Sequence, residues 1–230
     1  MRKIIFLFLI TMVCSHGFSQ DKETKEKINK ASDRVVFELG LENIIGKPDT
    51  LKISALSRGA GVYFMYDLPL GKSHFSFAPG LGISSSNFYH RSQIVSDTAE
   101  TYFVPIDKNE FDFKKNKISL TYVDIPLEFR FRSKPNEKGT SWKLATGFKL
   151  GFLLQNKWKY KGPELNGSGE TVKFKEFNIK YLQKLRYGVS IRGGYGMFNL
   201  FAFYNISSLF KQDSGPQLHP ITFGIAINGL

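Results

Sequence analysis

His90-Arg91-Ser92 puts a base and a hydroxyl nucleophile two residues apart. In an extended chain such residues share a face, and a serine activated by histidine could attack an acyl ester. That chemistry also needs an acidic partner to orient the imidazole, and the triplet does not supply one. The other histidines beyond the N-terminal leader, His74 and His219, are remote in sequence and lack zinc-ligand spacing. The chain has no Gly-x-Ser-x-Gly elbow and no phosphate-binding loop. Gly193-Gly194-Tyr195-Gly196 falls at a strand end, where turn and packing needs account for the glycines. No catalytic residue, cofactor site or metal ligand is assigned, and the protein is expected not to be an enzyme.

A second chemistry is cationic. The chain has 32 Lys and Arg against 20 Asp and Glu, a net charge of +12. Lys157, Lys159, Lys161, Lys173, Lys175, Lys180 and Lys184 gather around one long connection. A basic surface favours acidic partners. Nucleic acid is not expected among them, because no RNA- or DNA-binding motif is present.

The elements that must position these residues are strands. From Lys143 to Lys161 the sequence alternates: Leu144, Thr146, Phe148, Leu150, Phe152 and Leu154 on one phase, Lys143, Ala145, Gly147, Lys149 and Gly151 on the other. Successive side chains of a strand point to opposite faces, so one face is greasy and the other small, polar and cationic. The same pattern predicts strands over 35–45, 58–70, 74–91, 117–132, 185–195, 198–210 and 218–228, eight in all. Pro79 predicts a bulge. In 117–132 the apolar phase begins at Ile118, Leu120 and Tyr122 and ends at Leu127, Phe129 and Phe131. A change of parity within one face predicts a β-bulge near Val123-Asp124-Ile125-Pro126.

Connections after the second, fourth and sixth strands are short, and those after the first, third, fifth and seventh are mostly longer. This alternation, with an outward apolar face, predicts an all-β, eight-stranded antiparallel up-and-down transmembrane barrel, both termini on the periplasmic side. Trp142 and Trp158 are expected in interfacial aromatic belts, with Trp158 and Tyr160 standing above the membrane. Eight strands leave a lumen just wide enough for side chains. Glu38, Glu42 and Asp67 would share it with Lys143, Lys149, Arg186 and Arg192, which predicts a plugged, salt-bridged interior. A secreted lipocalin-like barrel would invert the faces. The glycines of the minor phase, Gly40, Gly61, Gly82, Gly147, Gly151, Gly188 and Gly224, suit a crowded interior better than a solvated exterior.

Met1-Arg2-Lys3, the apolar run Ile4–Val13 and the small residues Gly17 and Ser19 predict a signal peptide over 1–19. The run is too short for a membrane-spanning helix. Cleavage after Ser19 would remove Cys14, the chain's one cysteine. Residues 20–34 then form a polar periplasmic tail, and 35–230 the barrel domain. The expected partners in that compartment are outer-membrane lipid and lipopolysaccharide. The alternative chemistry is a lipid A-modifying hydrolase built on His90 and Ser92.

Leu120-Thr121-Tyr122-Val123-Asp124-Ile125-Pro126-Leu127-Glu128-Phe129-Arg130-Phe131 resembles the middle strand of the PorT-type outer-membrane β-barrel proteins of Bacteroidota, with Asp124 where that family usually has glutamate. Phe18-Ser19-Gln20 and Phe201-Ala202-Phe203-Tyr204-Asn205-Ile206-Ser207-Ser208-Leu209-Phe210 are similar too. The resemblance implies an eight-stranded outer-membrane barrel with no catalytic residue. Some members serve type IX secretion and gliding, so envelope or secretion-system proteins are possible partners by analogy.

Overall fold

A computed structural model describes residues 34–107, 111–165 and 170–229. The predicted signal peptide and the tail up to residue 33 lie outside the described residues. The strands in chain order are β1 (Val35–Ile45), β2 (Arg58–Met65), β3 (Leu68–Pro69), β4 (Phe75–Tyr89), β5 (Ser92–Ser96), β6 (Thr101–Pro105), β7 (Lys115–Arg132), β8 (Trp142–Pro163), β9 (Thr171–Phe177), β10 (Leu185–Tyr195), β11 (Phe198–Asn205) and β12 (His219–Gly229).

Eight of them close a ring, each antiparallel to its neighbours: β1-β2-β4-β7-β8-β10-β11-β12 and back to β1. Val35 opposite Gly229 and Ile45 opposite His219 close the seam. The all-β, eight-stranded reading therefore holds, and β1 and β10 have the bounds expected of them. The predicted 58–70 strand breaks at Tyr66-Asp67 into β2 and β3. Short turns and both ends of the ring lie together at one end, the turn end. The long connections meet at the other, the loop end, where β5 and β6 form a separate hairpin and β9 extends the sheet beside β8.

Outside, the ring wears an apolar girdle. Phe37, Leu39 and Leu41 on β1, Phe129 on β7, Leu144 and Phe152 on β8, Leu200 on β11 and Phe223 on β12 are all exposed. Soluble monomers rarely expose a contiguous apolar patch beyond a few hundred Å², and this one runs round every strand. On β8 it extends from Trp142 to Leu154, roughly 30 Å of height at a tilt of about 40°, enough for an apolar band of about 25 Å. Trp142 stacks obliquely on Tyr195 at 5.2 Å near the turn end, as an interfacial belt requires. Inward glycines make room for large neighbours: a side chain at Gly82 would meet the Tyr63 ring, and one at Gly151 would meet Asp124 and Arg186. An apolar-inside, lipocalin-like barrel is the reverse of this arrangement.

Three expectations are corrected. First, Pro79 makes no bulge: Pro79 pairs with Leu127 and Gly82 with Asp124, so the register is unchanged across it. The ladder is merely interrupted there, where Pro79 and Pro126 both lack an N–H to donate. Secondly, β7 does not change parity near Val123–Pro126. Its even residues face inward throughout, from Asn116 and Ile118 to Glu128 and Arg130. What changes is the interior, apolar towards the loop end and charged towards the turn end. The register shift instead falls between Thr121 and Tyr122 against β8, where Thr121 pairs with Gln155 and Tyr122 with Leu153. The extra residue is Leu154, on the neighbouring strand.

Thirdly, that extra residue inverts the rest of β8. Leu154 is 62% exposed, whereas Trp158 and Tyr160 are 4% and 1% exposed and point inward. They pack with Phe174 of β9, at 4.9 Å for Trp158 and 5.4 Å for Tyr160. Trp158 is thus an interior residue, not part of a membrane belt. In a Trp142→Phe background, Trp158 emission should resist both brominated lipid and aqueous acrylamide. In a Trp158→Phe background, Trp142 should be quenched by the lipid. Strong lipid quenching of Trp158 would contradict the inversion.

Candidate functional site

The lower lumen holds a network of charged and hydrogen-bonding side chains brought in by six strands. Asp124 of β7, fully buried, accepts from Arg186 Nη2 of β10 at 2.8 and 2.7 Å, and from Ser84 Oγ of β4 at 2.6 Å. The Arg186 guanidinium lies 3.8 Å above the Tyr122 ring. Lys149 of β8 donates to Glu38 of β1 and to Tyr63 Oη of β2, both at 3.0 Å, and sits between the rings of Tyr63 and Phe203. Nearer the turn end, Glu128 takes Arg192 at 2.7 Å and Arg130 at 2.9 Å. Arg130 and Arg132 also approach Asp67 at 3.6 and 3.7 Å.

Of the predicted lumen residues, Glu38, Asp67, Lys149, Arg186 and Arg192 all join ion pairs. Glu42 is buried but accepts from Thr222 Oγ1 at 3.0 Å instead. Lys143 sits half-buried at the turn end of β8. Asp124 and Glu128 take three of the six ion pairs named above; alternation with Leu127 and Phe129 already turns Glu128 inward, whereas Asp124 falls in the stretch read as a bulge. A bulge expected at Val123–Pro126 hides the inward direction of Asp124. Even phase alone would have found it. A cavity of about 20 Å³ remains among these groups, enough for about one water.

The upper lumen is apolar. Ile44, Leu51, Phe88, Ile118, Leu120, Trp158, Tyr160, Leu209, Phe210 and Leu218 form one buried cluster, closed by segments from the long connections. It contains the predicted His90 and Ser92, 2% and 0% exposed. The two are not brought into a catalytic geometry. The chain leaves β4 at Tyr89, and Ser92 Oγ donates to the Thr50 carbonyl at 2.6 Å. The His90 ring meets Phe103 edge-on at 6.1 Å, and among the described residues no side chain bonds to either ring nitrogen; the Ser92 backbone is the polar group beside it and weakly opposes the effect of burial. Burial pushes the imidazole down to about 4.

The predicted lysine cluster is partly assembled. Lys157, Lys159, Lys161, Lys173 and Lys175 share one outward sheet face, joined by Lys115 and Lys117 of β7, which the loop-based reading missed. Lys180 lies apart, its carbonyl accepting from Thr101 Oγ1, and Lys184 lies at the junction of β8 with β10.

An apolar exterior around a polar, ion-paired interior defines a transmembrane β-barrel. Residues 18–210 match the model of the outer membrane protein beta-barrel domain family, and the chain belongs to that family. No curated protein and no solved structure matches it. The match runs through the end of β11, and the ring closes through β12.

Two outcomes follow. Asp124→Asn leaves Arg186 buried with half a partner and should cost roughly 3–5 kcal/mol. Pairing Asp124→Leu with Arg186→Met should recover most of it, read from urea midpoints in detergent. A single variant within about 0.5 kcal/mol of wild type would mean that the pair is solvated. For His90, a lowered folded value makes its contribution full above the unfolded value of about 6.5, and lost as pH falls toward 4, by on the order of 3 kcal/mol. Amide protection factors over 90–106 should fall through that window while those of β1 and β12 hold. His90→Leu should flatten the dependence.

Proposed function

We propose that this protein is a non-enzymatic integral outer-membrane barrel with a lumen closed to solutes, which holds its loop end at the cell surface for binding. The observation that carries the reading is the pairing of an exposed apolar girdle with an interior whose charges are satisfied across the ring. Burying paired ions is tolerable, whereas a conducting pore of this width would have to leave them hydrated. The turn end, with both ends of the ring, then faces the periplasm, as short turns do in outer-membrane barrels. The basic loop end faces the anionic components of the envelope.

The lipid A hydrolase is the weaker reading, because Ser92 is committed to a backbone carbonyl and His90 to an apolar cluster. A part in type IX secretion rests on the PorT-type resemblance alone. A deletion strain with normal secretion and gliding would remove it.

Unboiled protein refolded in detergent should migrate faster than boiled protein and give no conductance steps in planar bilayers. Regular ionic steps would overturn the closed lumen, and a monomer soluble without detergent would overturn the membrane reading. In intact cells, Thr98→Cys at the loop end should react with an impermeant maleimide. Lys138→Cys at the turn end should react only after lysis. The opposite pattern would invert the orientation.

A further inference from the structure

Seven lysines form a grid on the outward face of β7, β8 and β9. Lys115 pairs across the sheet with Lys161, and Lys161 with Lys173. Two residues nearer the membrane girdle, Lys117 pairs with Lys159, and Lys159 with Lys175. Lys157 stands below them, opposite Ser119 and Phe177. Strand spacing sets the columns about 4.8 Å apart and the rows about 7 Å apart.

Like charges directly opposite one another destabilise a sheet, and here every cross-strand pair in both rows is Lys against Lys. Lys159 interacts electrostatically with Lys157, Lys117, Lys115 and Lys175. Among the described residues no carboxylate forms an ion pair with any of the seven. Their polar contacts are neutral: Lys117 Nζ donates to Asn87 Oδ1, and Lys157 Nζ to Gln155 Oε1, each at 2.7 Å. A merely solvated face would intersperse acids with these bases. The repulsion is a standing cost that a bound polyanion would relieve.

The height of the grid selects the anion. Leu154 is the last outward apolar residue of β8, and the parity change at that point is what turns Lys157, Lys159 and Lys161 outward. The grid therefore begins where the girdle stops, and it faces sideways from the wall of the barrel, as the girdle does, rather than toward the loop tips. Exposed Phe177 lies beside Lys157, with Nζ 6.0 Å from its ring. Tyr89, with Lys117 and Arg58 over its ring at 5.0 and 5.8 Å, continues the level round β4. Aromatic rings interleaved with lysines mark the head-group layer.

We propose that this grid binds the phosphorylated sugar head group of an outer-leaflet glycolipid. The inference rests on the membrane reading above and specifies the partner for one face of it. Bases carried on paired strands keep their spacing without the ordering cost that flexible loops would incur.

The test is native mass spectrometry of the barrel refolded in neutral detergent and titrated with bis-phosphorylated lipid A. The row variant is Lys117→Gln/Lys159→Gln/Lys175→Gln. The control, Lys52→Gln/Lys72→Gln/Lys180→Gln, removes the same charge from exposed sites elsewhere. Wild type and control should retain lipid A about tenfold or more better than the row variant. Dephosphorylated lipid A should bind wild type as weakly as lipid A binds the row variant. The row variant, freed of opposed lysines, should unfold at equal or higher urea. Equal retention by wild type and row variant overturns the proposal, as does an equal loss in the control. Preference for a polyglutamate peptide over lipid A would assign the grid to an acidic protein instead. A wild-type chain without heat-modifiable migration refutes the membrane reading itself, which is a distinguishable failure.

Discussion

Closure of eight strands leaves an interior that must be filled by the chain's own side chains, and any ion placed there must meet its counter-ion across the ring. The Asp124–Arg186 pair is the centre of that constraint. Asp124 reaches in from β7 and Arg186 from β10, with β8 between them contributing only Gly151, whose missing side chain is the space the pair occupies. Ser84 bridges to both from β4 and Tyr122 stacks beneath the guanidinium. Neither charge is stable in such a site unless the ring is closed in this register. The same interaction that costs desolvation therefore opposes any slip of β7 or β10 relative to the rest.

Above this level the interior changes character, and one extra residue marks the change. Leu154 keeps its side chain in the girdle, and everything after it on β8 reverses. The Trp158 and Tyr160 rings go inside, where Trp158 Nε1 donates to Asn116 Oδ1 at 2.7 Å and Phe174 covers both rings. The alternate lysines go outside. A single bulge thus supplies the apolar filling of the loop end and the charge on its outer face together. β8 also changes partner there: β10 below, β9 above, with Asn178 at φ 61° making the corner.

Strand number, the bounds of β1 and β10 and the inward face of the lower barrel are legible because alternation and small residues report directly on which side is crowded, whereas the strand expected over 198–210 ends at Asn205 and the one over 58–70 breaks at Tyr66-Asp67. Lys149 and Arg186 could be placed in the lumen from phase alone. Two things were not legible. Phase assigns a face only relative to its neighbours, so an apolar inward stretch such as Ile118, Leu120 and Tyr122 looks like an outward one that has switched parity. The hydrophobic pattern breaks on β7, yet the bulge lies on β8, where Trp158 and Tyr160 continue the old pattern without a break. The chemistry of His90 and Ser92 was also beyond reach, since shared phase does not reveal that the hydroxyl is already bound to Thr50.

The distribution of charge follows from the same geometry. Within the lumen Glu38, Glu42, Asp67, Asp124 and Glu128 nearly balance Lys143, Lys149, Arg130, Arg132, Arg186 and Arg192, so little of the cationic excess of the chain is spent there. Nor can it lie on the girdle, where an exposed ion would cost several kcal/mol at mid-depth. It is left to the regions beyond the apolar band, and at the loop end the sheet itself continues past that band as β7, β8 and β9. Lysines there inherit the strict spacing of strands rather than the freedom of loops. Identical residues at identical strand phase are then neutralised inside and left opposed outside, and height along β8 is the variable that separates the two.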